Sequence, residues 1–101
     1  MILTYTDNIA PPQEWKNGSS DPLDARLWGF VELEFRNVTG AITIYRDLTD
    51  ATTPLGAFYD QNDNGPYSTI TAAGVYQFTG GGKMRWVAAS GEPACTVRAS
   101  R

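Results

Sequence analysis

Glu32 and Glu34 stand two residues apart in the segment Phe30-Val-Glu-Leu-Glu-Phe-Arg36, and a pair of carboxylates is the minimum equipment for acid–base cleavage of a glycoside. In an extended strand, residues two apart project from one face, so the pair would share that face with Arg36 and, across the next turn, with Thr43. Acids alternating with a base and a hydroxyl are the pattern of a solvated outer sheet face. The chain has no histidine, which removes the commonest general base, the usual activator of serine and cysteine nucleophiles and the commonest transition-metal ligand. Cys95 is the only cysteine. Without an imidazole beside it, and placed between Ala94 and Thr96 in an alternating run, it reads as a small buried hydrophobe. No catalytic residue is expected.

The segment Asp60-Gln-Asn-Asp-Asn-Gly65 offers oxygen ligands at alternate positions followed by a glycine, which is how a calcium loop begins. The continuation fails: Pro66 follows directly, and Thr71 occupies the twelfth position in place of a bidentate glutamate. An Asx-rich turn accounts for the same residues, so no metal or other cofactor is expected. Asn17-Gly-Ser19 and Asn37-Val-Thr39 match glycosylation sequons but read as turns. Gly80-Gly-Gly82 lacks the helix and the Lys-Ser/Thr of a phosphate loop, and reads as a flexible hairpin connection.

The elements that carry these residues are strands. From Leu27 onward, Leu27, Val31, Leu33 and Phe35 occupy one face and Glu32, Glu34 and Arg36 the other, a period of two. Asn37 to Gly40 then turns into Ala41–Arg46, and the two runs read as a hairpin. Asp47 to Pro54 is a connection rich in Asp and Thr, Leu55–Tyr59 a short strand, and Asp60 to Gly65 a turn. Tyr67–Thr71, Gly74–Thr79, Lys83–Ser90 and Ala94–Ser100 continue the alternation, separated by Ala, Gly and Pro turns. Short strands at regular spacing predict an all-β fold, a small antiparallel β-sandwich or jelly roll. Residues 2–5 can form a short strand. Thr6 to Ala25, with Pro11, Pro12, Pro22 and several Asn, Gly and Ser, has no sustained period, although Asp21-Pro22 resembles a helix start. The expected division is an extended N-terminal arm over residues 1–25 and a β-sandwich domain over 26–101.

Composition bounds the possible partners. One domain is expected from 101 residues, and 42% hydrophobic content with three Trp, five Tyr and four Phe can drive folding without disulfides or metal. A formal charge of −3 argues against a nucleic-acid partner, whose phosphates call for clustered Lys and Arg. The N-terminus has no signal-peptide pattern, and no run approaches the ~20 apolar residues that span a bilayer. A chain that cannot form an internal disulfide fits synthesis in a reducing cytoplasm.

The aromatics are too many for one core. Trp28 and Phe30 fall on the parity opposite to Val31, Leu33 and Phe35, so this strand is apolar on both faces near its start. Either the arm or a neighbouring subunit must cover the second face. In the arm, Tyr5 and Trp15 are the expected anchors on a partner, with Pro11 and Pro12 stiffening the chain between them. Tyr5, Pro11, Pro12, Trp15, Trp28 and Phe30 therefore form the candidate partner-binding set.

Ser68-Thr-Ile-Thr-Ala-Ala-Gly-Val-Tyr-Gln-Phe-Thr-Gly80, followed by Lys83-Met-Arg-Trp-Val-Ala-Ala-Ser-Gly91 and Ala94-Cys-Thr-Val-Arg-Ala99, resembles a pattern of small bacteriophage virion proteins of the capsid decoration or cement type. The resemblance covers about residues 66–100 and consists of β-sandwich grammar without a catalytic motif. It implies a homotrimer on the capsid surface of the virion, made in the host cytoplasm, that bridges subunits of the major capsid protein and stabilises the phage head. Two alternatives fit the composition: a carbohydrate-binding β-sandwich module, which needs coplanar aromatics on one face, and a phage tail or fibre subunit.

Overall fold

Alternation in Phe30–Arg36 decides the local structure. Val31, Leu33 and Phe35 are wholly buried while the residues between them face outward, so an extended conformation buries every second side chain at once. The computed structural model describes residues 1–47 and 54–101, with Asp47 described through its backbone only. The strands among these residues are β1 (Ile9–Glu14), β2 (Leu23–Asp24), β3 (Phe30–Arg36), β4 (Ile42–Asp47), β5 (Tyr59–Asp60), β6 (Gly74–Thr79), β7 (Lys83–Ala88) and β8 (Ala94–Ser100). No helix occurs among the described residues. The expected connection from Asp47 to Pro54 lies largely outside them.

The strands make two antiparallel sheets, ordered β1-β8-β3-β6-β5 and β2-β7-β4, packed face to face as a small β-sandwich. Val31, Leu33, Phe35, Tyr76, Phe78, Cys95 and Val97 of the first sheet meet Leu23, Ile42, Ile44, Met84 and Trp86 of the second in one core. Phe35 and Trp86 join the layers edge to face, with ring centroids 5.5 Å apart, a geometry that adds to area burial.

Several expectations are corrected. β3 and β4 do not form a hairpin: β3 pairs with β6 and β8, and β4 pairs with β7 in the other sheet. Both strands carry an apolar face, and facing them across the core buries both. Gly80–Gly82 likewise crosses between sheets and is tightly held. The amide of Gly80 donates to the Gly29 carbonyl at 3.0 Å, that of Gly81 to Ala25 at 2.8 Å, and the Arg46 guanidinium donates to the carbonyls of Thr79 and Gly80. A Cβ at Gly80 would lie 1.6 Å from the Trp28 carbonyl oxygen, so only glycine fits that approach. Leu27, placed on the buried face by parity, is 64% exposed, because the amide of Trp28 donates to the Ala25 carbonyl at 3.2 Å in a turn that delays the strand to Phe30. Tyr67–Thr71 is not a continuous strand but touches its neighbours at Tyr67 and Ile70 as isolated bridges, and Leu55–Tyr59 contributes only Phe58 and Tyr59 to pairing.

The largest correction concerns residues 1–25. Residues 2–5 form no strand, and Asp21 closes a turn, its amide donating to the Asn17 carbonyl at 2.9 Å. In place of an extended arm, β1 adds an edge strand to β8 with the register Ile9↔Ser100, Ala10↔Ala99, Gln13↔Val97 and Glu14↔Thr96. The register shifts between Ala10 and Gln13, where Pro11 and Pro12 supply no amide hydrogen, and an edge strand with a bulge is where proline is tolerated. β2 extends the other sheet against β7. Leu3, Ala10, Trp15, Leu23 and Ala25 all belong to the core.

Candidate functional site

The groups read first for chemistry are engaged with one another. Cys95 is 1% exposed, and burial, then the Glu14 charge, pushes its thiol above its ordinary range. Glu32 and Glu34 do lie on one face, but the threonine beside them is Thr96 of β8, not Thr43, which sits on the other sheet. The Arg98 guanidinium donates to Glu32, and that of Arg36 reaches Glu34 at 3.0 Å, Glu14 at 3.0 Å and Thr96 at 2.8 Å. Glu32, Glu34, Thr96 and Arg98 border a depression of about 240 Å³ on the outer face of the five-stranded sheet, with Pro12, Gln61 and Val75 completing its wall.

Asp60 acts as the hub of its own turn. Its Oδ1 accepts the amides of Asn62 at 2.9 Å and Asn64 at 3.0 Å, and its Oδ2 accepts Asn64 Nδ2 and the Tyr67 hydroxyl, both at 3.3 Å. The carboxylate is thus occupied by an Asx turn. Among the described residues no three His, Cys, Asp or Glu side chains stand close enough together to hold a metal ion.

The partner-binding set divides. Trp15 is wholly buried: its ring meets Trp86 edge-on at 6.3 Å, its Nε1 donates to the Asp21 carbonyl at 2.8 Å, and its amide donates to Cys95. It cannot touch a partner while the domain stays folded. Pro11 and Pro12 are exposed on the bulged edge strand, where they deny a foreign strand its hydrogen bonds. Tyr5 and Trp28 meet at one end of the sandwich beside Arg101, the residue that follows β8, and Phe30 stands opposite Ser100 on the outer face of the sheet.

Hydrogen bonds define that end. Gly29 donates its amide to Ser100 at 3.1 Å, and Arg101 donates its amide to Asn8 at 3.0 Å, so the Trp28–Phe30 and Asn8–Ile9 segments flank the end of β8. Phe30 and Ile9 both stand opposite Ser100 in the ladder. Phe30 is 38% exposed and Ile9 62%. Trp28 is buried beneath Tyr5, ring centroids 5.3 Å apart at 83°. The Arg101 guanidinium carbon lies 5.0 Å from the Tyr5 ring centre and 5.2 Å from that of Trp28. Leu27, in the turn just before Trp28, is also exposed, within about 11 Å of Phe30 by chain reach alone.

Ile9, Leu27 and Arg101 were missed in the sequence reading. Leu27 carried a false signal, being on the buried parity of a strand that begins later. For Ile9 and Arg101 no local pattern was available, since their placement depends on β1 pairing with β8. No protein-family model, no curated protein and no solved structure matches this chain.

Proposed function

We propose that the chain is a structural binding protein that cements or decorates a bacteriophage head, docking on the major capsid protein through the end of the sandwich formed by Tyr5, Ile9, Leu27, Phe30 and Arg101. The observation that carries this reading is where the exposed large apolar side chains lie: of the seven exposed among the described residues, Ile9 and Phe30 flank Ser100 at the end of β8 and Tyr5 stacks on Arg101, which follows it. Contiguous exposed apolar surface is the mark of a contact site, and aromatic and arginine side chains are where binding energy concentrates. The resemblance of residues 66–100 to small virion proteins supplies the identity of the lattice.

The mechanism is mass action. A protein that binds only the expanded shell stabilises that shell by RT ln(1 + [L]/Kd) per site, repeated over the copies. A homotrimer would multiply the contacts of each copy, and an avidity gain follows without new chemistry.

A carbohydrate-binding module is the second reading, and the depression beside Glu32, Thr96 and Arg98 favours it, because sugar hydroxyls pair with such groups. Against it, the rings of Tyr5 and Trp28 stand nearly perpendicular, whereas a sugar platform needs them coplanar. Co-sedimentation of the purified chain with empty expanded phage heads, together with light scattering for its oligomeric state, tests the first reading. Saturable binding to heads is expected; glycan-array binding at the depression with no binding to heads would replace the first reading by the second.

A further inference from the structure

The depression on the outer face of the five-stranded sheet has a floor made by its central strands and walls from its two edges. Arg98 stands opposite Glu32 and Thr96 opposite Glu34 along the β8–β3 ladder, and Val75 of β6 flanks Glu34 on its other side. Pro12 belongs to the bulge of the edge strand β1. Gln61 directly follows the other edge strand, β5, and its backbone amide donates to the Val75 carbonyl at 2.9 Å. The enclosed volume, about 240 Å³, is below the roughly 300–1,000 Å³ of sites for drug-sized ligands. It suits a ligand the size of one sugar ring. Its charged groups are paired without being exhausted. Glu32 Oε1 accepts from Arg98 Nε, and Glu34 Oε1 accepts from Arg36 Nη1 at 3.0 Å. The second oxygen of each carboxylate, both terminal nitrogens of Arg98 and the Gln61 side-chain amide make no hydrogen bond with a described residue.

From this arrangement we infer that the depression is a binding site for a neutral, polyhydroxylated ring: a single hexopyranose unit. The inference rests on the second reading above, to which it gives a ligand class and named contacts, and it is independent of capsid docking. A hydroxyl brings no charge to be compensated, and it can donate to an open carboxylate oxygen while accepting from an open guanidinium N–H. Neighbouring hydroxyls of a pyranose supply both roles side by side, and Val75 and Pro12 give its C–H bonds an apolar wall. The polar groups are ordered before the ligand arrives, because Glu32 is only 13% exposed and held by Arg98, and groups already ordered cost less to bind. No aromatic ring is among the lining residues, so hydrogen bonds carry the recognition and stacking does not. Charged ligands fit less well. Glu14, Glu32 and Glu34 face only two guanidinium groups, Arg36 and Arg98, so an anion meets an excess of its own sign. A metal ion finds no group of three acids among the described residues.

The test is a heteronuclear NMR titration of the intact chain with glucose, galactose, mannose, N-acetylglucosamine and glucuronate at millimolar concentrations. At least one of the neutral sugars is expected to shift the Glu34, Val75 and Gln61 amides and the Arg98 Nε–H saturably, and glucuronate to bind roughly tenfold or more weakly than that sugar. Glu34→Gln and Gln61→Ala, both at exposed side chains, should melt like the parent and weaken binding of that sugar roughly tenfold. Val87→Thr, on the other sheet, should leave it unchanged. No saturable shift with any neutral sugar, tighter binding of glucuronate, or sugar binding untouched by both depression variants would each overturn the inference. Sugar-induced shifts elsewhere on the chain, with the depression silent, would defeat this inference and leave the carbohydrate reading standing, whereas silence of the chain on a glycan array as well would defeat both.

Discussion

Deleting residues 1–25 should abolish cooperative folding. The excised segment contains the edge strand β1 and three large core side chains, Leu3, Trp15 and Leu23, each no more than 2% exposed. Truncating a buried leucine costs roughly 2–5 kcal/mol and a buried tryptophan 3–5 kcal/mol, so these three together represent about 7–15 kcal/mol. That is comparable to the whole stability of about 5–15 kcal/mol expected of a domain this size. The remainder would also lose the backbone pairing along β8, strip β2 from β7 and uncover the Trp86 ring, whose edge contact is with Trp15. Residues 26–101 should therefore give no sigmoidal thermal or urea transition, bind a hydrophobic dye and be cut rapidly by protease. A single cooperative urea transition from residues 26–101, with a slope in proportion to its length, would refute the reasoning, and would restore the segment to the status of a detachable arm.

Gly18→Ala should destabilise the domain by about 1–3 kcal/mol in urea unfolding, as overpacking does, because the added Cβ would sit 2.2 Å from the Trp86 ring; Gly56→Ala, with nothing within 4 Å of its Cβ, is the control. Cys95 should resist alkylation in the native state at mildly alkaline pH and react at once in urea, since burial raises its thiol pKa and closes off access; fast native-state labelling would contradict its placement. The Arg26 hydrogen bond holds the Asp24 carboxyl down at about 2, below its ordinary 3.8, so the pair's contribution is complete above the ordinary value and lost as pH falls through about 2. Asp24→Asn should accordingly be less stable than the parent near neutral pH, with the gap closing in melts taken below about pH 2; a gap that stayed constant with pH would rule out the ion pair as its source.

Much of the fold was legible in the residues. Strict alternation in Phe30–Arg36, Gly74–Thr79 and Ala94–Ser100 locates β3, β6 and β8 and assigns their buried faces, because a strand that packs on one side must place every second side chain in the core. Cys95 as a buried hydrophobe and Asp60–Gly65 as a turn also followed from local pattern. Of the aromatics read as partner contacts, Tyr5 and Phe30 are exposed while Trp15 and Trp28 are buried. Pro11 and Pro12 made the surroundings of Trp15 look unstructured, when two residues without amide hydrogens at a bulge are compatible with an edge strand.

By itself, then, the chain's alternation determined that it is all-β, which faces are apolar, and that its single thiol has no partner within the chain. Pairing was decided only in three dimensions. Period two states that a strand has an inner face and leaves open which sheet it joins, so β3 and β4 look like a hairpin and yet face each other across the core. The candidate site belongs to the same class of fact. Tyr5, Ile9, Trp28, Phe30 and Arg101 span nearly the whole chain, and they meet because β8 accepts β1 on one side and β3 on the other. No local propensity encodes that meeting. It arises from the global requirement that two half-apolar sheets bury each other while every edge finds a partner or a proline.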